Sequence, residues 1–167
     1  MPLRRLLLTM ALLLAGAANA DEVAEIQRLI GAGDLTAALQ RSERAAAADP
    51  RDARPRFLQG VVLIDLKRDT AAMTVFEKLT EDFPELPEPY NNIALLHARA
   101  GRIDEARIAL ETALRNDPGQ QAARRNLGDI HLLLAIRAWE AAAAQAPGDP
   151  VLQRRLRAAR EIVAAPR

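Results

Sequence analysis

The sequence predicts an all-α protein: a right-handed α-solenoid of about three and a half helix-turn-helix repeats, with a fused long helix in the last repeat and a C-terminal capping helix. Three observations favour this fold. Alanine and leucine, both strong helix formers, supply 60 of the 167 residues. Helix-ending residue pairs recur with a period of 34 residues, and the last repeat lacks the residues that would form its internal turn. Each element is justified below in chain order.

The first 20 residues have the features of a secretory signal peptide. Arg4 and Arg5 precede an apolar run at residues 6–18, and Ala18-Asn19-Ala20 matches the small-residue pattern of a cleavage site. The run of 13 residues is shorter than the ~20 that a membrane-spanning helix needs, so a retained N-terminal anchor is the weaker alternative. We therefore expect cleavage after Ala20 and a periplasmic mature protein with no stable membrane span.

The period appears most clearly where helices end. Asp49-Pro50, Phe83-Pro84 and Asp117-Pro118 are spaced by 34 residues. If each proline is given position 32 of its unit, position 20 is alanine in every unit: Ala38, Ala72 and Ala106. Small residues at one position are expected where two helices touch. The pattern predicts helix-turn-helix repeats at about residues 21–52, 53–86 and 87–120.

A fourth, shortened repeat is predicted at residues 121–149. Five residues are missing between Leu134 and Ala135, where the turn would lie, and residues 121–145 contain no proline and one glycine. One continuous helix is therefore expected, with a kink near Leu134 as the alternative. An amphipathic segment at residues 150–164 is expected to cap the repeat domain, which spans residues 21–165.

Residues 87–118 place nine residues at positions that identify a known family. Positions 4, 7, 8, 11, 15, 20, 24, 27 and 32 are Tyr90, Ile93, Ala94, His97, Gly101, Ala106, Leu110, Ala113 and Pro118. This segment resembles the tetratricopeptide repeat family. The resemblance implies stacked helix pairs with a concave groove, lined by the first helix (helix A) of each repeat, that binds a protein or an extended peptide.

The resemblance also implies which side chains line the groove. They are an apolar set in the second repeat and an amide and cationic set in the third and fourth: Phe57, Val61 and Ile64, then Asn91, Asn92, Leu95, Arg99, Arg125 and Asn126. The amides could pair with a ligand backbone and the arginines with a carboxylate. Alternatively, the asparagines cap or pack locally and Phe57 belongs to the core between repeats.

Composition argues against catalysis and cofactors. The chain has no cysteine, two histidines and, in Ser42, one serine, and it has no phosphate-binding loop or nucleophile elbow. Residues 21–167 carry 21 basic and 22 acidic residues, so we expect no nucleic-acid partner. The four arginines of residues 150–164 form a local basic patch that is typical of a solvated helix face.

Two functional hypotheses follow. The first is a non-catalytic periplasmic scaffold that binds an envelope protein or peptide in the groove. The second is a homo-oligomeric structural protein, because the alanine-rich second half of the fused helix, with Trp139, would need apolar cover that a homodimer could provide.

Overall fold

The computed structural model describes residues 21–164, and every regular element in that range is an α-helix. The helices are α1 at residues 21–31, α2 Leu35–Ala48, α3 Ala53–Asp65, α4 Asp69–Asp82, α5 Pro87–Arg99, α6 Ile103–Asn116, α7 Gln121–Gln145 and α8 Pro150–Ala164. The all-α prediction is confirmed. The predicted signal peptide and residues 165–167 lie outside the described residues. Within residues 21–164, no helix has the length and apolar character to cross a membrane.

The helices group into two compact units, α1–α4 and α5–α8. In the first unit α2 packs on α3 and α3 on α4; in the second, α5 packs on α6, α6 on α7 and α7 on α8. Two salt-linked oxygens of Glu22 tie α1 to α2, each 2.9 Å from the Arg41 guanidinium. Each unit thus buries its apolar faces between helices that are neighbours in sequence.

Helices α2, α4 and α6 end at the residues that the period predicts. Their C-caps are Asp49, Phe83 and Asp117, each immediately before a proline. Each cap donates its backbone N–H to the carbonyl four residues earlier, and proline cannot donate the next bond of the helix. The 34-residue punctuation is therefore a record of helix ends.

The turn inside each of the first three helix pairs has one residue with a left-handed backbone. Its φ is +76° at Gly33, +60° at Lys67 and +74° at Gly101. The following N–H bonds back to the preceding helix in all three, as in the 2.9 Å bond from Arg102 N to His97 O. This Schellman-type ending explains why glycine recurs at position 15, and it makes Lys67 the exception.

The small residues of the repeat lie where helices are closest. Ala38, Ala72 and Ala106 at position 20 are fully buried. At Gly60, which is at position 8, an added Cβ would lie 2.5 Å from Cζ of Phe76 at position 24. The helix pair of this repeat packs as closely as it does because position 60 has no side chain.

The shortened repeat forms one unbroken 25-residue helix, α7, which confirms the fused helix and excludes the kink. Helix α8 packs along it: the Arg155 guanidinium lies 5.8 Å from the centre of the Trp139 ring, and Arg160 binds Glu140 at 2.6 Å. The predicted capping helix is therefore present. It covers the Trp139 face of α7 within the same chain.

Candidate functional site

The apolar part of the predicted groove lies on α3, in the first unit. The Phe57 ring centre is 5.8 Å from that of Phe76, at an interplanar angle of 59°, so Phe57 packs on α4. Ile64 is only 7% exposed, and Val61 is half-buried. These side chains contribute mainly to the core of their own unit, and their contact with a ligand stays a prediction.

In the second unit, the structure brings together two of the predicted amides. Asn91 on α5 and Asn126 on α7 are both half-buried, and Asn126 Nδ2 donates a 2.8 Å hydrogen bond to Asn91 Oδ1. Among the described residues, neither Asn91 Nδ2 nor Asn126 Oδ1 has a partner. The pair therefore presents one donor and one acceptor, the same two functions that a peptide group needs to have satisfied.

Asn92 follows the local alternative. Its Nδ2 donates a 3.0 Å bond to the Glu88 carbonyl four residues earlier in α5. Side chains that bond to their own helix in this way leave one amide hydrogen and the side-chain oxygen for other contacts. Asn92 is therefore a weaker candidate for ligand binding than the Asn91–Asn126 pair.

An apolar side chain and two cations lie on the same helices as the amide pair. Leu95, one turn after Asn91 on α5, is 37% exposed and is one of the few large apolar side chains in the described range that remain open to solvent. Arg99 and Arg125 are also exposed. Arg125 precedes Asn126 on α7 and makes no ion pair within residues 21–164. The second unit thus offers apolar, amide and cationic groups.

Sequence reasoning proposed Asn91 and Asn126 separately and missed the bond between them. They occupy positions 5 and 6 of consecutive repeats, so the signal was asparagine at adjacent positions on successive A helices. Whether two such side chains meet depends on the angle and offset between α5 and α7. That geometry is tertiary and leaves no mark on the residue spacing.

Sequence reasoning also missed an open pocket of about 440 Å³ in the first unit. It is lined by Glu22, Arg41, Arg44, Ala45, Ala48, Asp49, Asp52 and Pro55. Several of its charges are already paired: Arg41 with Glu22, and Asp52 with Arg54 at 2.7 Å. The Arg54 side chain, assisted by the Arg54 backbone N–H, lowers the pKa of Asp52 against the opposing effect of burial. The pairing leaves little net charge to select a ligand.

Metal-binding side chains do not converge in the described part of the chain. No group of three or more histidine, aspartate or glutamate residues there could hold a metal ion. His97 Nδ1 accepts a 2.9 Å hydrogen bond from Arg102 Nε, which occupies the lone pair that a metal would need.

Comparison with known proteins identifies the repeat. Models described as "Tetratricopeptide repeat" match residues 23–87 and residues 87–120. No curated protein matches the chain in sequence.

Solved structures share the fold at low identity. The first TPR of Spaghetti (RPAP3), bound to an HSP90 peptide, is 16% identical, with 70% of this chain and 93% of that one covered and a TM-score of 0.64. The Yersinia enterocolitica type III secretion chaperone SycD, in complex with a peptide of the translocator YopD, is 14% identical, with 68% and 92% covered and a TM-score of 0.62. MamA is 15% identical, with 86% and 77% covered and a TM-score of 0.62.

Proposed function

The chain belongs to the tetratricopeptide repeat family, and from this premise we propose that it is a non-catalytic scaffold that binds an extended segment of a partner protein. Two of the similar structures hold a peptide, which supports this class of function. The observation that carries the proposal is the Asn91–Asn126 pair, whose remaining donor and acceptor suit the backbone of an extended chain.

Three groups around the pair would complete the binding surface. Leu95 would contact an apolar side chain of the ligand, and Arg99 and Arg125 would attract a carboxylate. Phe57, Val61 and Ile64 in the first unit remain predicted contacts for a further apolar side chain. No member of this set acts on a bond, so the function is binding.

We place the scaffold in the bacterial periplasm and its partner among the envelope proteins. The support is the signal-peptide pattern of residues 1–20. Mass spectrometry of the protein recovered from the periplasmic fraction should give a chain that begins at Asp21. An intact chain that begins at Met1 and remains in the cytosol would contradict this location.

Site-specific photo-crosslinking in the host tests the binding surface. We would place the photoreactive residue at Leu95 on α5 and, as the control, at Ile108 on α6, since both positions carry exposed apolar side chains, 37% and 53% respectively. A heavier band at Leu95 and none at Ile108 is expected, and it would provide the partner for identification.

Two variants then test the amide pair. Asn126→Ala should reduce the Leu95 crosslink severalfold, because Asn91 loses the bond that orients it. Arg115→Ala removes an exposed arginine of α6 and should leave the crosslink unchanged. Equal bands at Leu95 and Ile108, or a Leu95 crosslink indifferent to Asn126→Ala, would count against this surface.

A homo-oligomeric role for α7 is the second candidate. The favouring observation is that Ala138, Ala141, Ala142 and Ala144 are exposed on the second half of this helix. Because α8 already covers Trp139, the surface left for a second copy is composed of alanine side chains.

A further inference from the structure

Positive charge is concentrated on α8 in an otherwise acidic chain. Residues 21–149 contain sixteen lysines and arginines against twenty-one aspartates and glutamates. Helix α8 contains four arginines and one acid, Glu161. The net charge near −1 of residues 21–167 therefore conceals a strongly basic helix on one unit.

Two of the four arginines are available to an external anion. Arg155 lies over the Trp139 ring and Arg160 binds Glu140, so both also contact α7. Arg154 and Arg157 are exposed and have no ion-pair partner within residues 21–164. These guanidinium groups are not needed for the packing of α8.

The same helix carries most of the exposed large apolar side chains of the described residues. Three of the five are on α8: Val151 at 43%, Ile162 at 63% and Val163 at 49% exposure. Ile162 follows Val151 by eleven residues, about three helical turns, and Ala158 lies between them on the same face. We call Val151, Ala158 and Ile162 the α8 strip. Leu156 and Ala159, which are buried, lie on the other side of the helix, against α7.

We propose that the α8 strip docks α8 onto an anionic lipid surface. An interfacial helix inserts an apolar stripe and keeps cations beside it at the level of the headgroups. Helical geometry places Arg154 on one side of the strip and Arg155 on the other, both within reach of such headgroups.

A lipid surface fits this arrangement better than an acidic helix of a partner protein. The larger apolar side chains, Val151 and Ile162, are at opposite ends of α8, with the small Ala158 between them. A flat bilayer surface contacts both ends together and offers anions along the whole helix, whereas a crossing helix contacts a few turns.

This surface is distinct from the peptide-binding surface on α5 and the first half of α7. The two proposals use different side chains, so either can fail alone. Peripheral docking through α8 requires no membrane-spanning helix.

Vesicle co-sedimentation tests the proposal. The protein is purified after export, its N-terminus is determined by mass, and it is mixed with vesicles of phosphatidylglycerol and phosphatidylcholine or of phosphatidylcholine alone. Val151→Ser/Ile162→Ser removes the apolar ends of the strip, and Arg154→Glu/Arg157→Glu reverses the two unpaired charges. Their matched controls are Ile108→Ser, at another exposed apolar position, and Arg51→Glu/Lys78→Glu, at two exposed cations of the first unit. Circular dichroism checks that each variant is folded.

The wild type and both controls should bind the anionic vesicles and not the neutral ones. Each α8 double variant should lower the partition coefficient by about tenfold or more. The proposal is overturned if the wild type ignores anionic vesicles, or if the serine double variant binds as well as the wild type. A photoreactive residue at Ile162 that captures an acidic protein, in place of lipid, would also overturn it.

Discussion

Repeat positions 8 and 24 carry residues of opposite size in each of the first three repeats. The pairs are Ile26 with Ser42, Gly60 with Phe76, and Ala94 with Leu110, and all six residues are buried. In the second pair, the Phe76 ring occupies the space that a Cβ at position 60 would need. We infer that the combined volume of the two positions is held roughly constant because both lie in the packed seam of a helix pair.

Gly60→Ala tests this close packing. The added methyl group would lie 2.5 Å from a fully buried ring, so we expect a loss of about 1–3 kcal/mol in the free energy of unfolding, despite the better helix propensity of alanine. Gly128→Ala is the matched control, because nothing lies within 4 Å of its added Cβ on α7. It should stabilise by about 0.5–1 kcal/mol. Urea unfolding measures both, and similar effects of the two substitutions would refute the seam argument.

Lys67 holds a left-handed backbone conformation where the other two turns have glycine. At a φ of +60°, its Cβ crowds the following carbonyl, a strain of about 1–2 kcal/mol that glycine avoids. We expect Lys67→Gly to raise the free energy of unfolding by up to about 1 kcal/mol, the remainder being lost to the greater entropy of the unfolded chain.

The reverse substitution, Gly101→Ala, should destabilise the protein, because it places a Cβ at a φ of +74°. Thermal unfolding of both variants provides the measurement. A Lys67→Gly variant that melts below the wild type would show that the Lys67 side chain provides more stability than its backbone strain removes.

At the scale of elements, helix α3 depends on its N-cap. The Asp52 side chain accepts a 3.0 Å bond from Arg54 N and also binds the Arg54 guanidinium at 2.7 Å. Helix α4 has no such cap: Arg68 precedes it and makes no side-chain capping bond. The stability of α4 therefore comes from the packing of its buried face, which includes Phe76.

Asp52 variants separate the cap from the ion pair. Asp52→Ala should cost about 1 kcal/mol at neutral pH, because it removes both contacts. Asp52→Asn keeps a capping oxygen and should cost less, since the Arg54 side chain is 57% exposed and such pairs contribute about 0–1 kcal/mol.

The pH dependence follows from the lowered pKa of Asp52. A carboxyl whose pKa is lower in the folded state stabilises the fold above its unfolded pKa of about 3.9, and this contribution is lost as the pH falls through the folded pKa. The gap between wild type and Asp52→Asn in denaturant unfolding should therefore close in acid. A gap that stays constant would exclude the ion pair as its cause.

Helix α7 shows how a deletion changes an element. Removing the turn leaves neither proline nor a left-handed residue to end the helix, so the backbone bonds continue from Gln121 to Gln145. The second half then lies beyond its usual partner, and α8 packs along it, through contacts such as Arg155 with Trp139. The pair α7–α8 thus serves as the last helix hairpin of the second unit.

At the scale of the whole molecule, the oligomeric state distinguishes the two candidate functions. If α7 mediates self-assembly, the exported protein should sediment as a dimer at micromolar concentrations, and Ala141→Glu should convert it to a monomer, because the charge would be buried at the interface. Ala122→Glu, at another exposed alanine of α7, is the control and should leave the dimer intact. A wild-type monomer in analytical ultracentrifugation would eliminate this candidate.

The repeat pattern allowed the fold to be predicted in detail. Proline and glycine act locally: one ends a helix by lacking a donor, and the other permits a left-handed turn. For this reason Asp49, Phe83 and Asp117 end helices as expected, and the fused α7 was predicted from five missing residues. The candidate site was less predictable, because burial of Ile64 and the self-bonding of Asn92 depend on neighbours that spacing does not specify.

The sequence by itself determined the helices, their ends, the repeat register and the family, since all of these follow from residues close together in the chain. Only the tertiary structure decided which side chains meet across helices. It paired Asn91 with Asn126, placed Phe76 over Gly60 and left the α8 strip open to solvent. The physical reason is that such contacts depend on helix crossing angles and offsets, which arise from the packing of whole faces and differ between repeats with the same spacing.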